Sequence, residues 1–453
     1  MVGDSPKAAV GAGSALWMST FAFTACFAVW TIFSIIGVQI KQDLGLSEAQ
    51  FGLLAGTPIL TGSLVRVLLG VWTDQYGGRV VNLMVMLSAA LATFLLSYAE
   101  TYPQFLVAAL GVGMAGGSFA VGIAYVSKFF PKEKQGTALG IFGAGNVGAA
   151  VTKFAAPFVM IAFGWQSVAQ IWAGALAVIA VAFFLLTRDD PALVERRRTG
   201  AKPESTAMQF TPLMKLQVWR FSLYYFFVFG AFVALALWLP HYLVGVYGLN
   251  IKVAGMVAAA YSIPGSLFRV FGGWLSDKIG ARRVMYITFS VSAVCTFLLS
   301  YPPTSYTVSG IHGPISFHLA TGLGAFIVLL FCLGFAMSLG KAAVFKHIPV
   351  YYPGNIGSVG GLVGLVGGLG GFVLPITFGL LNDITGVWTS CFMLLFLLVA
   401  SALTWMHFAI RRMERARTPG LSDLPELPEM SGLHPSPSSG PVPVAPVPVA
   451  AAI

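Results

Sequence analysis

Two arginines, Arg66 and Arg269, stand inside long apolar stretches, and the stretches around them are copies of each other. GSLVRVLLGVWTDQYGGR (62–79) aligns without gaps on GSLFRVFGGWLSDKIGAR (265–282), with nine of 18 positions identical at a constant offset of 203 residues. Three lysines, Lys153, Lys341 and Lys346, also lie within apolar runs. No Asp or Glu lies deep in any of them; Asp383 sits only at the end of one. A cation held at the centre of a bilayer costs roughly 2.5–3.5 kcal/mol on insertion scales, and such groups usually pair with buried acids. With no acid available, the simplest counter-charge is a bound anion. A guanidinium fork makes two parallel hydrogen bonds to a planar oxyanion, so two forks related by an internal repeat suit a small trigonal anion. The competing reading is that the arginines brace helix carbonyls, and their symmetric placement weighs against it. For Lys341 and Lys346, snorkelling towards the interface and lining a pore wall are both open.

The elements that must position these groups follow from composition. Of 453 residues, 57% are hydrophobic and only 9% charged, against about 25% charged in a soluble globular protein. A soluble enzyme and a nucleic-acid binder are both excluded on that ground. Roughly 20 apolar residues cross a bilayer as a helix, and twelve segments qualify: 17–40, 51–73, 80–99, 104–128, 136–162, 166–187, 218–246, 252–276, 284–301, 317–347, 355–382 and 387–410. The first is too long for a signal-peptide core. If the N-terminus is cytoplasmic, nineteen of the 26 Lys and Arg fall on the cytoplasmic side; only Lys41 and Lys252 fall outside, and five are within spans. Enrichment of Lys and Arg in inner loops therefore predicts that both termini are cytoplasmic.

The fold expected is an all-α membrane protein of twelve transmembrane helices in two pseudo-symmetric six-helix halves. A cytoplasmic N-terminal segment covers 1–16 and the first half 17–187. A cytoplasmic central loop follows at 188–217, then the second half at 218–410. The tail, 411–453, is basic and then Pro-rich; nine prolines in 418–453 and no apolar periodicity predict disorder. The four cysteines (Cys26, Cys295, Cys332, Cys391) sit in apolar runs without a CxxC spacing, so neither a metal site nor a disulfide framework is expected. No cofactor motif is present either. The G-x-G-like spacings follow no strand and are not nucleotide loops. Parallel repeats of this kind place the substrate near the midplane, between the halves. Two glycine runs, GIFGAGNVGAA (140–150) and GSVGGLVGLVGGLGGF (357–372), include Gly143, Gly145, Gly148, Gly360, Gly364, Gly367 and Gly368. Such spacings let helix backbones approach closely in a membrane, for packing or for gating.

The pattern G-x-x-x-D-x-x-G-x-R occurs at Gly70, Asp74, Gly77 and Arg79 and again at Gly273, Asp277, Gly280 and Arg282. It resembles the loop signature of the major facilitator superfamily. That resemblance implies a cytoplasmic latch between the halves made by Asp74, Arg79, Asp277 and Arg282, against the plainer reading of an ordinary loop ion pair. GTALGIFGAGNVGAA (136–150) and FKHIPVYYPGNIGSVGGLVGLVGGLGGFVLP (345–375) carry a narrower resemblance, to the two signatures of the nitrate/nitrite porter family.

Across about 17–410 this resemblance implies nitrate and nitrite as substrates, where composition and spacing reach only a small anion. It implies that Arg66 and Arg269 clamp the anion, that Asn146 donates a neutral hydrogen bond, and that Phe119, Tyr225, Phe229 and Phe33 form an aromatic slot around it. Tyr225 and Phe229 are four apart and share a helix face. Proton carriers commonly use a membrane Asp, Glu or His. Here no deep carboxylate exists, and His241, His318 and His407 lie towards segment ends. Lys153, seven residues after Asn146 and so nearly on the same helix face, is a candidate coupling group, as is Lys346. The wording GNVGAAVTKFAAP (145–157) resembles the symporter branch more than the exchanger branch. The expected partners are nitrate, nitrite, the proton and the lipid bilayer of the cytoplasmic membrane, with a monomer as the working unit. The other readings are a nitrate/nitrite exchanger, a porter for formate, a sugar phosphate or an organic acid, and a membrane anion sensor. A membrane enzyme lacks a supporting nucleophile–base arrangement.

Overall fold

The computed structural model describes residues 10–130, 132–199, 215–351 and 356–416. All twelve expected segments contain helix. The first is α1 (Ala12–Trp30), a 3-10 turn (Ile32–Ser34) and α2 (Ile36–Leu44); the second is α3 (Glu48–Tyr76). α4 (Gly78–Leu96) follows, then α5 (Tyr102–Val112) and α6 (Ser118–Ser127) joined through a 3-10 turn (Gly113–Gly117). α7 (Lys132–Gly143) and α8 (Gly148–Phe163) are joined the same way through Ala144–Val147, and α9 (Trp165–Leu186) ends the first half. α10 (Pro191–Thr199) is a short helix within the central loop, where only loop was expected. In the second half, α11 (Leu216–Tyr225) and α12 (Phe232–Tyr247) run together through a π-helical stretch, Phe226–Ala231. α13 (Ile251–Leu267) and α14 (Arg269–Ile279) are one segment bent by 41°. α15 (Ala281–Leu299), α16 (Leu323–Tyr351), α17 (Ile356–Thr385) and α18 (Ser390–Ala416) complete the bundle.

Among the described residues ten helices are long and apolar enough to cross a membrane, or eleven with the bent pair α13–α14 counted as one. The second expected segment is α3, a continuous helix of 29 residues that carries Arg66. The expected segment 317–347 is corrected. Its first residues form a strand, because β1 (Thr304–Gly310) and β2 (Gly313–Leu319) make an antiparallel hairpin and the helix starts only at Leu323. The alternating pattern of 304–319 has a period of two, and it sorts Tyr306, Val308, Ile315 and Phe317 onto one face and Ser305, Thr307, Ser316 and His318 onto the other. α18 likewise continues into the basic residues after 410. The expected Pro-rich tail lies outside the described residues, as do Lys7 and most of the central loop.

The repeat read in the sequence is repeated in three dimensions. α4 and α15 are both 19 residues long, and each begins and ends 203 residues from the other. Each follows a glycine with the same left-sided backbone, Gly77 (φ 89°, ψ 143°) and Gly280 (φ 85°, ψ 138°), a conformation that side chains with a Cβ rarely adopt.

The halves meet mainly where α3 packs along α17 and α8 along α13. Small residues make both contacts possible. A Cβ on Gly52 would strike the carbonyl of Pro375, one on Gly56 would lie 2.8 Å from the carbonyl of Phe372, and one on Gly379 would strike the carbonyl of Glu48. Across α8–α13, a Cβ on Gly255 would strike the Lys153 carbonyl.

Replacing Gly52 by Ala should therefore lower the melting temperature of the purified protein, since overpacking costs about 1–3 kcal/mol. Gly174→Ala on α9, where nothing lies within 4 Å of the new Cβ, should leave it unchanged or raise it, by up to about 1 kcal/mol of helix propensity. Equal effects at the two sites would contradict the packing described.

Candidate anion-binding site

Arg66 projects from the middle of α3 and is buried, 7% exposed. Its Nη1 donates to the carbonyl of Gly364 on α17 at 3.1 Å, a bond between the halves. Three rings surround its guanidinium: Phe119 with its centroid at 5.4 Å, Trp30 at 5.7 Å and Phe229 at 5.8 Å. Arg269 opens α14 directly after the bend and lies 5.9 Å from the same Phe119 ring and 5.9 Å from Phe345. One aromatic ring is thus shared by the two repeat-related arginines. A cation over an aromatic face is attracted by the ring quadrupole, by about 2 kcal/mol or more when desolvated, which offsets part of the burial cost without neutralising the charge.

The other expected residues gather around them. Tyr225 and Phe229 stack at 5.0 Å with planes 7° apart, and Phe345 meets Tyr225 edge-on at 4.9 Å. The helix makes this stack possible because the π-helical stretch begins just after Tyr225 and brings the two rings into line. Asn146 is fully buried in the 3-10 turn between α7 and α8. One turn before it, Gly143 faces Arg269: a Cβ there would lie 3.4 Å from the guanidinium carbon. A Cβ on Gly367 would enter the Tyr225 ring and one on Gly368 would strike the Ser63 hydroxyl, so α17 can lie against the site only with glycine at both. Gly145 and Gly148 serve packing within the first half, against Phe23 and the carbonyl of Thr24. Gly364 has open space over its Cα and contributes its carbonyl. Phe33 is not brought into this group. It is fully buried in the turn that breaks the first span, backed against Gly37.

Within the cluster, Arg66 Nε, Arg269 Nη1, both amide atoms of Asn146, the Tyr225 hydroxyl and the Ser63 hydroxyl are buried without a hydrogen-bond partner among the described residues. A buried polar group left unpaired costs about 1–3 kcal/mol. Unpaired donors dominate this set, two of them on cations, and a ligand rich in acceptor oxygens would satisfy them together.

The lysines divide. Lys153, fully buried on α8, donates to the Ala149 carbonyl at 3.2 Å and to the Ser262 hydroxyl on α13 at 2.9 Å, so it spans the two halves. Lys341 donates to the Gly265 carbonyl at 2.6 Å and lies 3.2 Å from the centre of the Phe232 ring. Lys346, exposed on α16, pairs with Asp277. Of the expected latch groups, Arg79 donates from Nε and Nη2 to the Phe184 carbonyl of its own half at 2.9 and 2.7 Å and approaches Asp189 of the central loop at 3.8 Å. Asp277 and its partner Lys346 likewise belong to one half. The Asp74 side chain lies outside the described residues. Arg282 is half-buried at the start of α15, next to the Gly280 turn.

Trp30, Phe345 and Ser63 were not foreseen in the site. Ser63 and Arg66 share one face of α3, three apart, within the repeat already recognised, and Phe345 precedes Lys346 in a quoted signature. Nothing local marks Trp30: it reaches the site because its Nε1 donates to the Pro58 carbonyl at 2.8 Å, tying the first span to α3.

A repeated helical bundle with a cationic, carboxylate-free centre between its halves belongs to a transporter, not to an enzyme, and the comparisons agree. The model of the Major Facilitator Superfamily matches residues 18–313 and 247–449. The chain is 42% identical over 413 residues to the probable nitrate/nitrite antiporter NarK1 of Thermus thermophilus, covering 88% of this chain and 91% of that one. It is 32% identical to the probable nitrate/nitrite transporter NarK2 of Mycobacterium tuberculosis (82% and 88% covered) and 31% identical to the nitrite extrusion protein of Bacillus subtilis (87% and 95%). A bacterial homologue of the human lysosomal transporter Spinster, solved inward-facing and occupied, superposes with a TM-score of 0.68 at 15% identity, covering 92% of this chain and all of that one; at that identity it speaks for the fold alone. The chain therefore belongs to the major facilitator superfamily and, within it, to the nitrate/nitrite porter family.

Because Arg66 is buried and Arg269 half-buried, with no carboxylate paired to either among the described residues, replacing either by a neutral side chain of similar length should relieve strain in the empty protein. Arg66→Met and Arg269→Met should each raise the melting temperature measured without anion, by the equivalent of about 1–3 kcal/mol, while abolishing transport. A fall in stability would show that the arginines act as structural braces.

Proposed function

We propose that this protein carries nitrate and nitrite across the cytoplasmic membrane by alternating access, with both termini on the cytoplasmic side. The observation that carries this reading is the shared ring: two repeat-related guanidinium groups flank Phe119 from opposite halves, with unpaired N–H groups and, among the described residues, no carboxylate paired to either. An anion there accepts from Arg66, Arg269 and Asn146 while Phe119, Tyr225 and Phe229 bound it as a slot. A flat ion with oxygens in one plane meets all the donors, whereas a tetrahedral ion collides with the ring faces. The names of the relatives, all of them transporters or extruders of nitrate or nitrite, support that substrate choice. The empty site repels itself, since two like charges face each other across it. Bound anion removes that repulsion and lets the halves close, and this links binding to the conformational switch.

For coupling we favour nitrate/proton symport. A negative interior opposes anion entry by about 2.3 kcal/mol per charge per 100 mV, so import needs a compensating cation. Lys153 supports this assignment because it bonds across the halves to Ser262 and so exchanges proton acceptors when they separate. Exchange is the second reading, supported by relatives named antiporter and nitrite extrusion protein. Proteoliposomes free of internal nitrite decide between them. Accumulation of labelled nitrate driven by an inward proton gradient supports symport; uptake only with nitrite loaded inside, indifferent to the gradient, supports exchange.

Arg66→Lys and Arg269→Lys keep the charge and lose the fork. Each should weaken nitrate binding about 10–100-fold, the worth of a hydrogen bond to a charged group at 1.5–3 kcal/mol, measured by calorimetry on purified protein. Unchanged binding in both variants would reject the clamp. Nitrite should compete with nitrate, and sulfate and phosphate should not; strong inhibition by phosphate would point to another anion.

A further inference from the structure

The hairpin β1–β2 joins the end of α15 at Leu299 to the start of α16 at Leu323, at the end of the bundle opposite the Arg-rich loops. Its base is tied down. The Tyr301 and Tyr306 hydroxyls hydrogen-bond to each other, and the Tyr247 hydroxyl at the end of α12 donates to the Thr321 carbonyl at 3.0 Å. Beyond the base, the pairing register sorts the side chains. Tyr306, Val308, Ile315, Phe317 and Leu319 lie on one face, and Ser305, Thr307, Ser309, Ser316 and His318 on the other. Tyr306 stacks on Phe317 at 5.4 Å, yet Val308, Ile315, Phe317 and Leu319 each remain half exposed or more, and Ile311 at the tip is 99% exposed.

A two-stranded hairpin on its own is marginal in water, and its apolar face needs a cover. Strand edges that face water are guarded by charged side chains, and docking surfaces for soluble proteins carry a polar rim. This segment has neither, since no Lys, Arg, Asp or Glu occurs between Arg283 and Lys341. Lipid needs no charge, and lipid adjoins the hairpin on both sides. α15 and α16 are each long and apolar enough to cross a membrane, and Val294, Phe297 and Leu298 of α15 and Val328 and Phe331 of α16 are exposed on the outside of the bundle. The apolar face of the hairpin continues that surface where it leaves the bilayer, with Tyr301 and Tyr306 at the level where tyrosine rings collect. The strand edges set the depth. Their unpaired backbone groups cannot enter hydrocarbon, so the hairpin fits along the headgroup layer, with one face towards the acyl chains and its hydroxyl-rich face towards water. Seven residues per strand at about 3.3 Å each give it a length of about 23 Å, enough to carry its tip well beyond the two helices that hold it.

We infer that β1–β2 is an interfacial foot: it lies flat on the leaflet opposite the Arg-rich loops and buries Val308, Ile311, Ile315, Phe317 and Leu319 among lipid. The foot is independent of the substrate, so it is tested without any anion. Full-length protein whose native cysteines are replaced by alanine is reconstituted as single copies in phosphatidylcholine nanodiscs. Each sample carries one spin label, at Val308→Cys, Ile315→Cys, Thr307→Cys or Ser316→Cys. Relaxation by oxygen, which concentrates in lipid, and by a neutral nickel chelate, which stays in water, reads the surroundings of each label. The oxygen-to-nickel ratio should be severalfold higher at 308 and 315 than at 307 and 316, although these positions are direct neighbours along each strand. Equal nickel access at all four positions would stand the hairpin upright in water. Shielding of 308 and 315 from both reagents would mean that protein covers the face. Either result overturns the foot. If one labelled variant does not fold, its cross-strand partner, 308 for 315 or 307 for 316, reports the same face.

Discussion

Two guanidinium groups held in an apolar interior without a carboxylate form the constraint on which the rest of this structure depends. Their charge cannot be discarded, because arginine stays protonated in proteins, and it cannot be hidden, because the site lies between the halves. The protein meets it with weaker devices: aromatic faces around each cation, one carbonyl from Gly364, and separation across a shared Phe119 ring. None of these cancels the charge. Left uncancelled, it is available to a ligand, and the fold spends its glycines on bringing α17 and the turn before α8 close enough to frame that ligand.

The same demand accounts for the irregular helices. A straight helix presents its side chains at fixed intervals and satisfies every internal backbone group. Here the site residues stand at interruptions of that regularity: Trp30 ends α1, Phe119 follows a 3-10 turn, Asn146 lies inside another, Tyr225 and Phe229 flank and enter a π-helical stretch, and Arg269 follows a bend. Such departures concentrate at functional sites, and in a membrane they are tolerated only where surrounding protein covers the freed backbone. These residues meet that condition, because they lie in the interior of the bundle.

The architecture was legible because lipid imposes a coarse grammar: length, apolarity and the sidedness of Lys and Arg mark spans, and the 203-residue offset between Arg66 and Arg269 exposes the repeat. The central pair was legible for the same reason, since a cation in an apolar run stands out against a quiet background. Aromatic partners did not stand out. With 36 Phe in the chain, the type of residue 33 or 345 says nothing about direction, and only the break after Trp30 and the packing of α16 decide which ring reaches an arginine. The end of the hairpin, 317–319, was taken into the span at 317–347 because its apolar Phe317 and Leu319 raise hydropathy as a span does, although they alternate with a period of two in place of 3.6. The pairing of Lys346 with Asp277 was not legible because the two lie 69 residues apart in sequence and only folding brings them together.

The repeat that makes the two arginines equivalent in sequence does not make them equivalent in mechanics. Arg66 is set in a helix unbroken from Glu48 to Tyr76, pinned by its bond to Gly364, whereas Arg269 begins a separate helical piece after a 41° bend. A rod and a jointed arm of the same composition respond differently to the same load: the rod transmits displacement along its length, and the joint converts it into rotation. Under the proposed rocking of the halves, the two arginines would meet an anion through unlike mounts, one within a continuous helix bonded to α17 and one at the start of a helical piece beyond a bend.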